Sequence, residues 1–192
     1  MPLGACWACA LSWPDVRGAV GEVLFADRVY AVRGALGFRL RGAPELHPLV
    51  HRFKYGGDRR LARRAGRWLA AGNAPPAPHA VLVPIPLHWR RRWSRGYNQA
   101  DWIARGAADV WGLPVARNAL FRAEHRVSLT GSNRSDRQQL LGTTYAARPP
   151  TGGREAVLVD DVLTTGATLR ACTAALEAAG WRVSGAVVLA LA

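Results

Sequence analysis

Apolar positions along this chain follow two periods. In the first thirty or so residues they form short β-like stretches, Val23–Phe25 and Val29–Val32, split by Asp27-Arg28. From His47 to Ala71 the spacing turns helical: Leu49, Val50 and Phe53, then Leu61, Ala65, Trp68 and Leu69, recur at three and four residues. Gly56-Gly57 divides that run into two helices, and Asp58 is placed to cap the second. The prolines between Asn73 and Pro78 end it. Ala80–Val83 then reads as a short buried strand stopped by Pro84 and Pro86. Asn98–Trp111 reads as an amphipathic helix closed by Gly112 and Pro114, and Val115–Phe121 as a further strand. Glu124–Gln139 is polar and arginine-rich around Gly131, Ser132 and Asn133, the pattern of a mobile loop. A buried strand at Glu155–Val159, a helix at Thr168–Ala179 and a last strand at Val183–Leu191 complete the series. Uniformly apolar strands alternating with helices predict an α/β fold, a mostly parallel sheet flanked by helices.

Composition narrows the class. The chain has 192 residues, 49% of them hydrophobic, enough for one folded core with a small appendage. No apolar run reaches the length of a membrane span, and the first residues lack the pattern of a secretory signal, so a cytoplasmic protein is expected. Three cysteines do not make a disulfide framework. Cys172 falls in an amphipathic helix and reads as core. The net charge is +13, and Lys54 is the only lysine, so 25 of the 26 basic residues are arginine. Arginine grips phosphate in bidentate fashion and favours phosphorylated partners, nucleic acid included. A generally arginine-rich proteome accounts for the same excess, and charge alone does not decide between them.

Two segments carry chemistry. The strand ending at Val159 runs into Asp160-Asp161, then Val162-Leu163, then Thr164-Thr165-Gly166-Ala167-Thr168 at a helix start. Paired carboxylates at the C-terminal end of a strand suit ribose hydroxyls or a water-bridged Mg²⁺. The turn after them offers backbone N–H groups, hydroxyls and a glycine to an anion. One capping residue would serve a plain turn; two acids and three threonines exceed that need. The second segment, Val81–Ala100, places Arg90, Arg91, Arg92 and Arg95 before Gly96-Tyr97-Asn98-Gln99 at another helix start. That arrangement suits a second anion or a solvated basic loop.

The run Val157–Leu169, VLVDDVLTTGATL, resembles the phosphoribosyl diphosphate (PRPP) signature of type I phosphoribosyltransferases. That resemblance implies Asp160 and Asp161 as the catalytic pair on the ribose 2′- and 3′-hydroxyls. It implies Thr164, Thr165, Gly166, Ala167 and Thr168 as the cradle of the 5′-phosphate, and Mg²⁺ arriving with PRPP. Thr164 stands where 6-oxopurine salvage enzymes carry an aspartate acting on the purine N7, which argues against hypoxanthine or guanine salvage. PIPLH with the following arginines and RGYNQA resembles the ComF/GntX family of competence-associated phosphoribosyltransferase-like proteins. FKYGGD at Phe53–Asp58 and the Arg134–Tyr145 stretch resemble it more weakly, so the likeness runs from about Leu46 to the C-terminus. It implies Arg90, Arg91, Arg95, Gly96 and Asn98 on the pyrophosphate side, and Arg134 and Arg137 on a flexible loop. Leu140 stands where the family has an asparagine three residues after its arginine, a departure from the family's pattern beside Arg137.

The family's N-terminal four-cysteine ribbon is represented here only by Cys6 and Cys9. Two thiolates do not make a structural zinc site. His47 and His51 have the spacing to complete one but read as helix residues, and no zinc is expected in a degenerate ribbon. The resulting organisation is a degenerate ribbon-like segment at 1–33, a helical hood and linker at 34–78, and a phosphoribosyltransferase-like domain at 79–192. The resemblance implies a protein that binds PRPP or a related ribose phosphate and is associated with DNA uptake. One alternative is active transfer of ribose-5-phosphate from PRPP to an unidentified base or amine, with release of pyrophosphate. Another is a non-enzymatic single-stranded-DNA-binding competence factor. Expected partners are PRPP, single-stranded DNA, and proteins of DNA uptake or replication restart.

Overall fold

In the computed structural model the described residues are 19–25, 28–39, 58–87, 96–123 and 145–191. The strands are β1 (Ala19–Phe25), β2 (Arg28–Arg39), β3 (Val81–Pro84), β4 (Leu120–Arg122), β5 (Tyr145–Ala147), β6 (Glu155–Leu163) and β7 (Arg182–Leu191). The helices are α1 (Arg59–Ala71), α2 (Gln99–Trp111) and α3 (Ala167–Ala178). β1, β2, β7, β6 and β3 form one sheet in that order, parallel except for the antiparallel β1 edge. β4 and β5 pair separately, antiparallel. The expected mostly parallel α/β sheet is present.

Both faces of β3 and of the first half of β6 are covered, which is why Val81–Val83 and Ala156–Val159 are uniformly apolar. On β6, Ala156 and Leu158 point to one face and pack with Leu169, Cys172 and Leu176 of α3. Val157 and Val159 point to the other and pack with Leu61 and Leu69 of α1 and Ile103 and Ala107 of α2. Cys172 is fully buried, as expected of a core thiol. Trp68, Trp102 and Trp111 pack against the second cluster only partly buried.

The helix boundaries follow from caps. The Asp58 carboxylate accepts the Leu61 N–H at 3.0 Å, the bond expected of an N-cap. Asn98 precedes α2 in extended conformation, and Gly112 closes it at φ 68°, where other residues are strained. β6 differs from expectation: it continues past Val159 to Leu163, because β7 keeps pairing with it to Leu191 after β3 has ended at Pro84. β1 and β2 are also longer than the two apolar stretches, and β2 runs from 28 to 39 and pairs in parallel with β7. Val115 makes only an isolated parallel bridge to Leu82, and the strand resumes at Leu120.

The connections set the functional end of the sheet. From β3 the chain passes through α2 to Val115, on one side of β3. From β6 it passes through α3 to β7, on the other side. β3 and β6 are parallel neighbours whose connections leave in opposite directions, so a crevice opens at their C-terminal ends.

Candidate functional site

β6 carries the acidic pair into that crevice. Asp160 and Asp161 stand opposite the end of β7, one and two residues beyond the last β3 pairing, and both are half-buried. The Asp161 N–H donates to Asp160 Oδ1, and the Val162 N–H to Asp161 Oδ1, each at 2.8 Å. These local bonds fix both carboxylates against the backbone. Behind them lies the Cys172 thiol, pushed well above its usual range by burial and then by the charge of Asp160.

The turn that follows is shaped by Gly166, at φ 73° and ψ 0°, which serves as N-cap of α3. Its left-handed conformation excludes a side chain without strain. Gly166 is buried, while Thr164, Thr165, Ala167 and Thr168 around it are exposed. Thr165 Oγ1 accepts the Ala167 N–H at 3.4 Å, and Gly166 C=O accepts the Arg170 N–H at 2.9 Å. Three threonine hydroxyls and a helix N-terminus therefore meet solvent together beside two carboxylates, the acceptor and donor set that a ribose phosphate requires.

Gly96 and Asn98 stand at the start of α2. Gly96 has φ 73°, and its carbonyl accepts from Arg59 Nη2 at 3.4 Å. Asn98 Nδ2 donates to the Ile85 carbonyl at 3.0 Å, and the Ile85 N–H donates to Val159 C=O at 3.0 Å. The chain after β3, the start of α2 and the end of β6 are thus joined by a short hydrogen-bond series. Asn98 Oδ1 is buried without a hydrogen-bond partner among the described residues. Arg90, Arg91, Arg95, Arg134, Arg137, Cys6 and Cys9 lie outside the described residues, as do His47 and His51.

A cavity of about 580 Å³ opens on the other side of β3. Gly96 and Asn98 line it, with Pro84, Pro86, Arg117, Asn118 and Leu120–Arg122; Asp160, Asp161 and Thr164–Thr168 do not. The structure therefore brings the acidic pair and the threonine turn together, and sets Gly96 and Asn98 in the wall of a neighbouring space. Sequence reading singled out Gly96 and Asn98 in the wall of that space but not the residues opposite them. In its wall Asp101 of α2 is 7% exposed and accepts from Arg117 Nε and Nη2, at 2.6 and 2.9 Å.

Among the described residues, no group of three or more His, Cys, Asp or Glu side chains is placed to hold a metal. Two carboxylates beside an exposed threonine turn nevertheless fit Mg²⁺, which binds through one or two carboxylates together with ligand phosphates. Also among the described residues, no helix is long and apolar enough to cross a membrane.

No family model matches the chain. Competence protein F of Haemophilus influenzae is 33% identical over 144 residues, covering 69% of this chain and 62% of that protein. DNA utilization protein YhgH of Escherichia coli is 29% identical over 66% of this chain and 59% of that protein. Competence protein ComFC of Bacillus subtilis is 31% identical over 62% of this chain and 48% of that protein. The chain spans about half to three-fifths of the length of these relatives. Among solved structures, the allosteric regulatory enzyme of purine biosynthesis aligns with 73% of the chain at 20% identity and a TM-score of 0.49. The glutamine PRPP amidotransferase of B. subtilis aligns with 71% at 18% identity, with the same TM-score.

Proposed function

We propose that this chain, which belongs to the ComF family, binds PRPP or a related ribose phosphate between β6 and α3 and serves DNA uptake. The observation that carries the reading is the continuity of the acidic pair with the Gly166 turn at the switch point of the sheet. In this reading Asp160 and Asp161 accept the ribose 2′- and 3′-hydroxyls, held in place by their backbone bonds. The N–H groups and hydroxyls of Thr164–Thr168 receive the 5′-phosphate, with Gly166 letting the backbone approach it. Mg²⁺ carried in with the ligand would rest against the same carboxylates and neutralise the diphosphate. Gly96 and Asn98, with Arg90, Arg91 and Arg95, would face the pyrophosphate. The link to DNA uptake comes from the relatives, which are named for competence and DNA utilization.

Calorimetry with PRPP and Mg²⁺ tests the site. Wild type should bind, and Asp160→Asn/Asp161→Asn should lose at least about tenfold in affinity, near 1.4 kcal/mol. Equal binding by the two proteins refutes the assignment. Pyrophosphate release in a screen of base and amine acceptors then reports whether the bound ligand is turned over.

Direct contact with single-stranded DNA is a second reading. It is favoured by α1, which carries Arg59, Arg60, Arg63, Arg64 and Arg67 within 13 residues, opposed by Asp109 across the helix pair. Such binding should weaken by roughly 0.7 log units per log unit of salt for each phosphate neutralised. Absence of binding at low salt removes it.

A further inference from the structure

We propose that the cavity beside β3 is a second binding site, for a nucleotide unit: a phosphate carried with a planar base. The inference is separable from the ribose phosphate reading: the acidic pair and the threonine turn do not line this space, while Gly96 and Asn98, which that reading turns toward the pyrophosphate, stand in the wall between the two. At about 580 Å³ the cavity is in the range of small-molecule sites.

Its wall is cationic. Arg59, Arg105, Arg117, Arg122 and Arg148 line it, and Asp101 is the single carboxylate among its described lining residues. Asp101 is already engaged, by Arg117 at 2.6 and 2.9 Å and by Arg105 at 3.4 Å. Arg59, Arg122 and Arg148 have no carboxylate partner among the described residues. Gathering guanidinium groups around one space is unfavourable unless an anion offsets their repulsion. The Arg122 head is also held still. Its Nη2 donates to the Tyr145 hydroxyl at 2.9 Å, and its guanidinium lies 4.7 Å from the centre of that ring. Its Nε is buried with no hydrogen-bond partner among the described residues. A guanidinium fixed in a cavity wall, with no carboxylate partner among the described residues, is a preorganised phosphate grip.

The wall is also aromatic where a core would not need it. Phe121 is 41% exposed, although both its strand neighbours are more buried. The Arg148 guanidinium lies 5.9 Å from its ring centre, and Arg105 lies 4.7 Å from that of Trp102. An exposed ring beside a guanidinium is a stacking surface for a base. Inorganic phosphate or pyrophosphate would use the arginines and leave Phe121 without a role, so the wall favours phosphate and base together.

The test is calorimetry at low salt on the full chain, with thymidine 5′-monophosphate, thymidine, pyrophosphate and a short oligothymidylate as probes. Arg148 and Phe121 are exposed, so Phe121→Ala/Arg148→Gln should fold, which circular dichroism checks. The double variant should weaken the monophosphate at least about tenfold. The monophosphate also carries the 5′-phosphate and 3′-hydroxyl that the acidic pair and threonine turn would take, so the cavity variant is repeated in the Asp160→Asn/Asp161→Asn background, where it should cost the same factor whatever the fate of the ribose phosphate reading. Monophosphate binding that responds to the cavity variant marks a free nucleotide. A response confined to the oligothymidylate marks the same unit presented by a strand. The proposal is overturned by three results: no binding of either nucleotide probe, binding indifferent to the cavity variant, or pyrophosphate losing as much affinity in that variant as the monophosphate.

Discussion

Helices α1 and α2 touch through two glycines, and adding one methyl group there should separate them. A Cβ built on Gly106 would stand 2.9 Å from both the Arg63 carbonyl carbon and the Arg67 amide nitrogen, and closer still to the Arg63 oxygen. A Cβ on Gly66 would meet the Ile103 carbonyl in the same way, at 2.8 Å from its carbon. These obstacles are helix backbone, which cannot swing aside as a side chain can. Ordinary contact needs about 3.5 Å, so the helices must part by roughly 1 Å. Such a gap forfeits a quarter to a half of each contact made across it. Leu61, Ala62, Leu69, Ile103, Ala104 and Ala107 are all nearly inaccessible in that cluster and would be affected. Overpacking of this kind costs about 1–3 kcal/mol, against a gain of about 1 kcal/mol from replacing glycine with alanine inside a helix. Gly106→Ala and Gly66→Ala, whose obstacles are backbone that cannot give way, should each be destabilising, by up to about 2 kcal/mol net. The double variant should lose less than the sum, because a separation already made for one methyl partly accommodates the second. Urea unfolding with a shared slope measures all three. A stabilising single substitution, or strict additivity in the double, refutes the close-approach argument.

Acid should loosen the same helix pair. Hydrogen bonds from Arg63 and Arg67 hold the Asp109 carboxyl at about 2, below its ordinary value. A depressed carboxyl contributes stability that is present above the unfolded pKa and lost as pH falls through the folded one. Asp109→Asn should therefore flatten the acid limb between about pH 4 and 2, in thermal melts across that range; an unchanged limb refutes the linkage. Because Cys172 is buried with its thiol held protonated, it should resist a thiol reagent in the native Cys6→Ser/Cys9→Ser protein and react on unfolding. Rapid native labelling would contradict this. Trp181→Phe removes the indole N–H bond to the Arg148 carbonyl, 2.7 Å long. It should lower stability by about 1 kcal/mol in denaturant titration. No loss would mean the bond is replaced.

What the sequence made legible and what it hid differ in how each is assembled. The β6–α3 turn is one continuous run, so its apolar strand, acids, glycine and threonines could be read in order, and Asp58 and Gly112 mark their helix ends for the same local reason. Even there, the strand's true end was out of reach. Whether Asp160 and Asp161 follow a strand or ride on it depends on how far β7 extends beyond β3, a property of the sheet and not of the run. The nucleotide cavity had no such signature, because it draws on α1, the end of β3, α2, the 117–122 segment and Arg148. Each arginine taken alone reads as a solvated charge, and Asp101 as the polar side of an amphipathic helix. Burial of Asp101 beneath Arg117 and exposure of Phe121 are the two departures from that bland pattern, and both require the tertiary fold. The Gly66–Gly106 contact ties these observations together. It fixes α2 against α1, and α2 begins at Asn98, whose side chain is bonded to the segment that leaves β3. A shift of α2 would therefore move the cavity wall more than the acidic pair, which is held by β7 on the far side of β6. If the two spaces are separate sites, Gly106→Ala should weaken a nucleotide probe more than PRPP, whose acidic pair and threonine turn do not sit on α2. Equal loss at both would mean that they act as one.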